Sequence, residues 1–275
     1  MSTSLRHIII RLLARGERWA RLLRQRLQAE ARRRQLDRPN SPDEWQVLYA
    51  APVTPVVKVE SPVAQALVQL SVPGDVMLET GCGSASISAE LGVADRIVQL
   101  ADFSPAILER AQRLFAASGL SAPLNRLADL TQPLPWADKS VDITWSSGVL
   151  EHWQDDELVP ILREMARVSR KRVVSFVPFA GSVFYRWGKW VSEQNGSWPY
   201  GRELPRQSLC SVFERAGLQR IVEYTLWPDA ALNFMHMVDP ELAPEVHRWW
   251  HAVPADDPLR RTQGYLLATI GEPGP

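Results

Sequence analysis

A chain of 275 residues, 45% hydrophobic and 23% charged, is long and apolar enough for one large domain with its own core. That balance excludes a disordered, collagenous or disulfide-built protein, and no apolar run approaches the roughly 20 residues needed to cross a bilayer. The net charge of zero is unevenly spread, because residues 1–38 carry eleven arginines against Glu17, Glu30 and Asp37, leaving the rest of the chain acidic.

The two cysteines, Cys82 and Cys210, stand far apart and fit a reducing compartment. The start, Met1-Ser-Thr-Ser-Leu-Arg, lacks the compact apolar core and cleavage site of a secretory signal, so a cytoplasmic location is expected. Leu5 to Arg34 reads as a helix: Leu5, Ile8, Ile9, Leu12, Leu13, Trp19, Leu23 and Leu27 fall on one face, with Arg6, Arg11, Arg18, Arg21 and Arg24 largely opposite. This basic arm, residues 1–40, has three readings. It lies on an anionic membrane surface, packs on the body or on a second copy, or serves as a targeting peptide, the last disfavoured by Glu17 and Glu30. Arg38-Pro-Asn-Ser-Pro-Asp-Glu then carries turn chemistry.

From residue 41 to 275 helix and strand patterns alternate. Ser61-Pro62 opens a helix running to about Leu70, and Val76-Met-Leu is a short strand. A glycine-rich turn, a helix over Ala85 to Leu91 and a strand over Arg96 to Leu100 follow. Next come a helix over Pro105 to Ser118, a strand over Val141 to Ser146, a helix over Asp155 to Ser169 and an apolar strand over Arg172 to Val177. A helix over Pro205 to Ala216 and strands over Gln219 to Leu226 and Tyr265 to Ile270 complete the series. Short-range alternation of this kind predicts an α/β fold with a doubly wound, mostly parallel sheet and helices on both faces. Ligands in such sheets sit beyond the carboxyl ends of the strands.

The sharpest local signal is Val76-Met-Leu-Glu-Thr-Gly-Cys-Gly-Ser-Ala-Ser, where a buried strand ends at Glu79 and Gly81 and Gly83 follow. Those glycines let the backbone turn tightly and approach a ligand with no Cβ in the way. Ile97-Val-Gln-Leu-Ala-Asp102 ends the next strand in a carboxylate, about 20 residues on, the spacing at which an acid takes ribose hydroxyls. Ser104 before Pro105 fills the helix-cap role, which leaves Asp102 for a ligand. A nicotinamide-type turn competes with this reading, but it wants glycine at position 86, which is Ser86 here.

The third element, Asn125-Arg-Leu-Ala-Asp129-Leu followed by Pro133-Leu-Pro-Trp-Ala-Asp-Lys-Ser-Val-Asp142-Ile-Thr-Trp-Ser-Ser-Gly-Val-Leu-Glu-His, decides between them. With it, residues 61 to 178 resemble the class I S-adenosylmethionine-dependent methyltransferases, more narrowly their small-molecule branch, whose fold is Rossmann-like. The resemblance implies S-adenosyl-L-methionine as cofactor and gives each matching position a role. Glu79 stands where the family keeps an acid near the methionine amino group, and Gly81, Cys82 and Gly83 border the methionine portion. Asp102 matches the ribose ligand and Phe103 packs beside adenine. Asp129 matches the acid for the adenine amine with the Leu130 backbone alongside, and the Ser146 backbone faces the methionine end. Two positions depart from the family: Ala85 replaces its third glycine, and Ser169-Arg-Lys-Arg172 replaces its Pro-Gly-Gly turn.

Methyl transfer from a sulfonium needs mainly orientation and exclusion of water, with a base only when the acceptor must shed a proton. Glu151-His152 is the acid–imidazole pair expected beside the methyl, with His152 as base and Glu151 as its partner; a structural or cofactor-side role is the competing reading. The strand end Trp145-Ser-Ser-Gly-Val is not the Pro-Pro-Tyr/Phe-type turn of amino-group methylation on nucleic acid, so no nucleic acid partner is expected. The sequence therefore points to a small-molecule acceptor methylated on oxygen rather than nitrogen or carbon. An acceptor on RNA or protein, or a cofactor-binding subunit without activity, remains open. Two insertions, at about residues 179–204 and 227–258, carry Tyr185, Trp187, Trp190, Trp198 and Tyr200, then His236, His247, Trp249, Trp250 and His251. They are expected to wall the acceptor side. No metal site is expected.

Overall fold

The computed structural model describes residues 37–38 and 40–274. The helix expected over Leu5 to Arg34 lies outside the described residues. Seven strands form one sheet: β1 (Val76–Thr80), β2 (Ile97–Asp102), β3 (Leu124–Leu127), β4 (Val141–Ser147), β5 (Ser169–Pro178), β6 (Leu218–Leu226) and β7 (Leu266–Pro273). Their order is β3-β2-β1-β4-β5-β7-β6. Strands β1 to β5 pair in parallel, and β7 runs antiparallel between β5 and β6. The chain winds outward from β1 through β2 to β3, then returns to the other side of β1 as β4. That reversal opens a crevice between the carboxyl ends of β1 and β4.

Side chains alternate between two cores because a strand has a period of two. Met77, Leu100, Ile143, Trp145, Phe176 and Ala268 point to one face, where α2 (Pro62–Gln69), α3 (Ser86–Val93) and α4 (Pro105–Ala117) pack. Leu78, Ala101, Val141, Val173, Val177 and Leu267 point to the other. There α5 (Asp155–Val168) covers the sheet with Leu158, Ile161, Leu162 and Met165, spaced for one helical face. In α4 the same logic buries Ile107, Ala111, Leu114 and Phe115, each large side chain contributing about 1.5–3 kcal/mol. Pro105 at the first turn starts that helix, and Gly119, at φ +68°, follows its end.

Several local expectations change. Of the stretch expected to turn, residues 42–44 are helical instead: Ser41 caps α1 (Pro42–Leu48). The Ser41 hydroxyl accepts from Glu44 N at 3.4 Å, and Glu44 Oε2 accepts from Ser41 N at 2.8 Å. The helix expected over Pro205 to Ala216 begins only at Cys210, as α7 (Cys210–Arg215), after α6 (Val183–Asn195) of the first insertion. Arg206 is extended instead, donating to Pro178 O at 3.0 Å and accepting from Ala180 N at 2.8 Å. Strand β3 carries no apolar alternation because it is a largely exposed edge. The stretch Ser169 to Arg172 is no connection: α5 ends at Val168 and β5 begins at Ser169. The second insertion folds as α8 (Pro228–Leu232), α9 (Met235–Val238) and α10 (Ala243–Ala252), before α11 (Pro258–Thr262). Its tryptophans and those of the first insertion divide: Trp198 and Trp250 are buried, whereas Trp187, Trp190 and Trp249 are exposed. No helix among the described residues is long and apolar enough to cross a membrane.

Candidate active site

A cleft of about 250 Å³ occupies the crevice beyond β1 and β4. Gly81 and Gly83, Asp102 and Phe103, and Asp129 and Leu130 line it. Gly148, Val149 and His152, which follow β4, line it as well. A larger groove, about 630 Å³, lies between α2 and the outer strands β6 and β7, and holds none of these residues.

The glycine turn is shaped by close approach. Gly81 has φ +73°, and a Cβ there would stand 2.8 Å from Val149 Cγ2. Gly83 has φ +47°, and a Cβ would meet the Tyr49 ring at 2.8 Å. Ala85, at the position of the family's third glycine, does more than lose freedom: it is left-handed at φ 55°, with its methyl buried in the core. A left-handed alanine costs about 1–2 kcal/mol.

Asp102 is not free, as the sequence suggested. Its Oδ2 accepts from Gly83 N at 3.2 Å and its Oδ1 from Ser104 N at 3.0 Å, while the Ser104 hydroxyl makes no cap hydrogen bond. The carboxylate therefore ties the glycine turn to β2. Burial raises its pKa, against the pull of the Ser104, Gly83 and Phe103 amides. Asp129 is exposed to the cleft. Its Oδ1 accepts from Thr131 N at 2.9 Å and Thr131 Oγ1 at 2.8 Å, leaving the other oxygen for a ligand.

Three expected cofactor residues do not reach the wall. Glu79 is buried behind the turn, where it accepts from Ser88 Oγ at 2.6 Å, and burial pushes its carboxyl well above the ordinary range. Cys82 packs into the core, and burial raises its thiol. Ser146 is buried with its hydroxyl unpartnered.

His152 closes a 3₁₀ turn, Leu150–His152, and its ring faces the cleft. Nδ1 lies 2.5 Å from Arg202 O, and the Arg202 guanidinium returns two bonds to His152 O, at 2.9 and 2.7 Å. A carbonyl only accepts, so Nδ1 carries the proton and Nε2 is left as the basic nitrogen. Burial lowers the imidazole pKa below its ordinary 6.5, against the Arg202 and Gly148 carbonyls that favour the proton. Glu151 is not the partner of His152. No hydrogen bond joins them, because the turn sends consecutive side chains apart and Arg202 takes the ring instead.

Sequence reasoning missed the upstream wall. Trp45 and Tyr49, on and just after α1, line the cleft with Asn40, and Trp153 joins them from beyond β4. Trp45 meets His152 edge-on at 5.3 Å and stacks with Tyr49 and Tyr200, each at 6.2 Å. Burial, then Tyr200 and the carboxylates of Asp102, Glu79 and Glu151, push the Tyr49 phenol above its ordinary 10. The findable signal was the Ser41-Pro-Asp-Glu44 capping box, with aromatic residues four apart on the helix it starts.

Comparison with known proteins places this geometry. Residues 77–172 match a family described as a methyltransferase domain. A 96-residue stretch is 33% identical to the uncharacterized methyltransferase YodH of Bacillus subtilis (strain 168), covering 35% of this chain and 39% of that relative. Among solved structures, the protein in complex with the Haloferax volcanii Trm112 methyltransferase activator aligns with TM-score 0.54 and 21% identity, over 78% of this chain and 89% of that one. The Streptomyces coelicolor A3(2) geranyl diphosphate C-methyltransferase, solved with Mg2+, geranyl diphosphate and S-adenosyl-L-homocysteine, aligns with TM-score 0.51 and 14% identity, over 77% and 78%. These two share the fold. The family match runs from β1 to the start of β5, so residues 77–172 form a methyltransferase domain, and the strand order around them is that of the class I S-adenosylmethionine-dependent fold.

Proposed function

We propose that this chain transfers a methyl group from S-adenosyl-L-methionine to a small-molecule acceptor, using His152 as the proton acceptor. The supporting observation is that Gly81, Gly83, Asp102 and Asp129 share one cleft with the basic nitrogen of His152. The donor set fits the cofactor. It presents an ammonium, two ribose hydroxyls and an adenine amine, all hydrogen-bond donors, and the cleft presents carboxylate lone pairs and a half-exposed Phe103 ring.

When bound, the cofactor supplies a methyl already activated by its positive sulfur. The protein then orients, encloses and removes a proton. Asp102 and Asp129 fix ribose and adenine, while the glycine turn admits the methionine portion. The cleft, about 250 Å³, is lined by the Trp45 and Tyr49 rings, which would help exclude water from the reacting atoms. His152 Nε2 takes the acceptor's proton, which suits an O–H nucleophile that must lose it during attack.

Incubating the full chain with methyl-labelled donor and separate pools of small metabolites, RNA and protein tests the reading. Label is expected in the small-molecule pool. Label in RNA or protein would contradict the acceptor class, and cofactor binding without transfer to any pool would identify a binding subunit without activity.

A further inference from the structure

We propose that the acceptor carries an ammonium group, and that Glu151, behind the Gly148 wall of the cleft, is its counterion. This rests on the methyltransferase reading and adds the substrate class.

Glu151 is only 1% exposed, and its Oε2 has no hydrogen-bond partner. A buried polar atom left unpaired forfeits its hydration, so it is normally avoided unless a ligand completes it. Glu151 does not itself line the cleft, but Gly148 does, and a Cβ on Gly148 would lie 3.6 Å from Glu151 Oε1. Because Gly148 has no side chain, nothing of its own screens the carboxyl from a ligand.

Among the described residues no cation forms an ion pair with this acid, although Arg206 and Lys189 act on it and Arg206 Nε is itself buried without a partner. Arg202 lies 3.5 Å from Glu157, Arg206 pairs with Asp155, and Lys189 pairs with Glu193 while stacking over Trp198. Arg206 and Lys189 are close enough to be felt at Glu151, but each is held by another acid. The nearest additional acid, Glu203, accepts from the Tyr185 hydroxyl and deepens the negative field. Burial and Glu203 together hold the Glu151 carboxyl well above its ordinary range, so a bound cation is what would let it ionise.

The rest of the acceptor side is aromatic. Trp45, Tyr49 and Tyr200 form a stacked series beside His152. Aromatic faces next to an unpaired carboxyl recognise an alkylammonium through cation–π attraction and one charge-assisted hydrogen bond. An uncharged alcohol of the same shape obtains only the packing.

The test is calorimetric, on the full chain saturated with S-adenosyl-L-homocysteine, using matched probes: benzylamine against benzyl alcohol, and 2-phenylethylamine against 2-phenylethanol. In at least one pair the amine should bind tenfold or more tighter than its alcohol, and Glu151→Gln should remove that preference while homocysteine-product affinity is kept. Amines that bind no better than the alcohols, measurably or not at all, overturn the assignment, as does a preference that survives Glu151→Gln. The wild-type comparison decides even if the variant does not fold. Failure of S-adenosyl-L-homocysteine to bind is a separate result, and removes the methyltransferase reading itself.

Discussion

If His152 acts as the proposed base, His152→Ala is expected to lower turnover by about 10²–10⁴-fold, with S-adenosyl-L-methionine affinity nearly unchanged. The argument is one of tautomer. Arg202 O fixes the proton on Nδ1, so Nε2 is basic, and burial keeps the ring neutral at physiological pH. His152→Asn is the informative control, since its amide still donates toward Arg202 O but supplies no base. It should be as inactive as alanine if the role is chemical, and near normal if the ring only holds Arg202. The pH profile gives a second check. A base works unprotonated, and this imidazole is shifted below 6.5, so kcat/KM should be level above that pH and fall only below it. Parallel loss of cofactor affinity and turnover in both variants would instead make His152 a structural residue.

Asp102→Ala should weaken S-adenosyl-L-homocysteine binding by about 1.5–3 kcal/mol, the range for hydrogen bonds to a charged group. It should also destabilise the fold, because Gly83 N–H and Ser104 N–H lose their acceptor. Leaving such donors unpaired in a buried turn costs about 1–3 kcal/mol each. Calorimetry and thermal unfolding on the same preparation separate the two effects. A lower melting temperature with unchanged affinity would reduce Asp102 to a brace for the glycine turn.

This double duty of Asp102 marks where sequence reading ended. Gly81, Gly83, Asp102 and Asp129 were legible because they sit at strand ends, and strand ends are set by local apolar runs and turn residues. What each side chain bonds to depends on the turn's final path, so the Gly83 and Ser104 amides could not be assigned to Asp102 in advance. Glu79, Cys82 and Ser146 were placed by the family resemblance, and the sequence did not show that all three side chains are buried and do not line the cleft. The Glu151–His152 partnership failed for a similar reason. Adjacent residues on a tight turn diverge, and the true partner, Arg202, arrives 50 residues later from the first insertion. Trp45 and Tyr49 were missed because they lie upstream of the recognisable motifs: the capping box marks their helix, but only packing brings Tyr49 over Gly83 and Trp45 into the cleft.

The central claim is that the glycine turn and its two acids form a site for S-adenosylmethionine rather than a dinucleotide. Titrating the purified full chain by calorimetry with S-adenosyl-L-homocysteine, NAD+ and NADH tests it most directly. The account predicts saturable binding of S-adenosyl-L-homocysteine at one site and no binding of either nicotinamide form. Tight nicotinamide binding with no heat from S-adenosyl-L-homocysteine would contradict it.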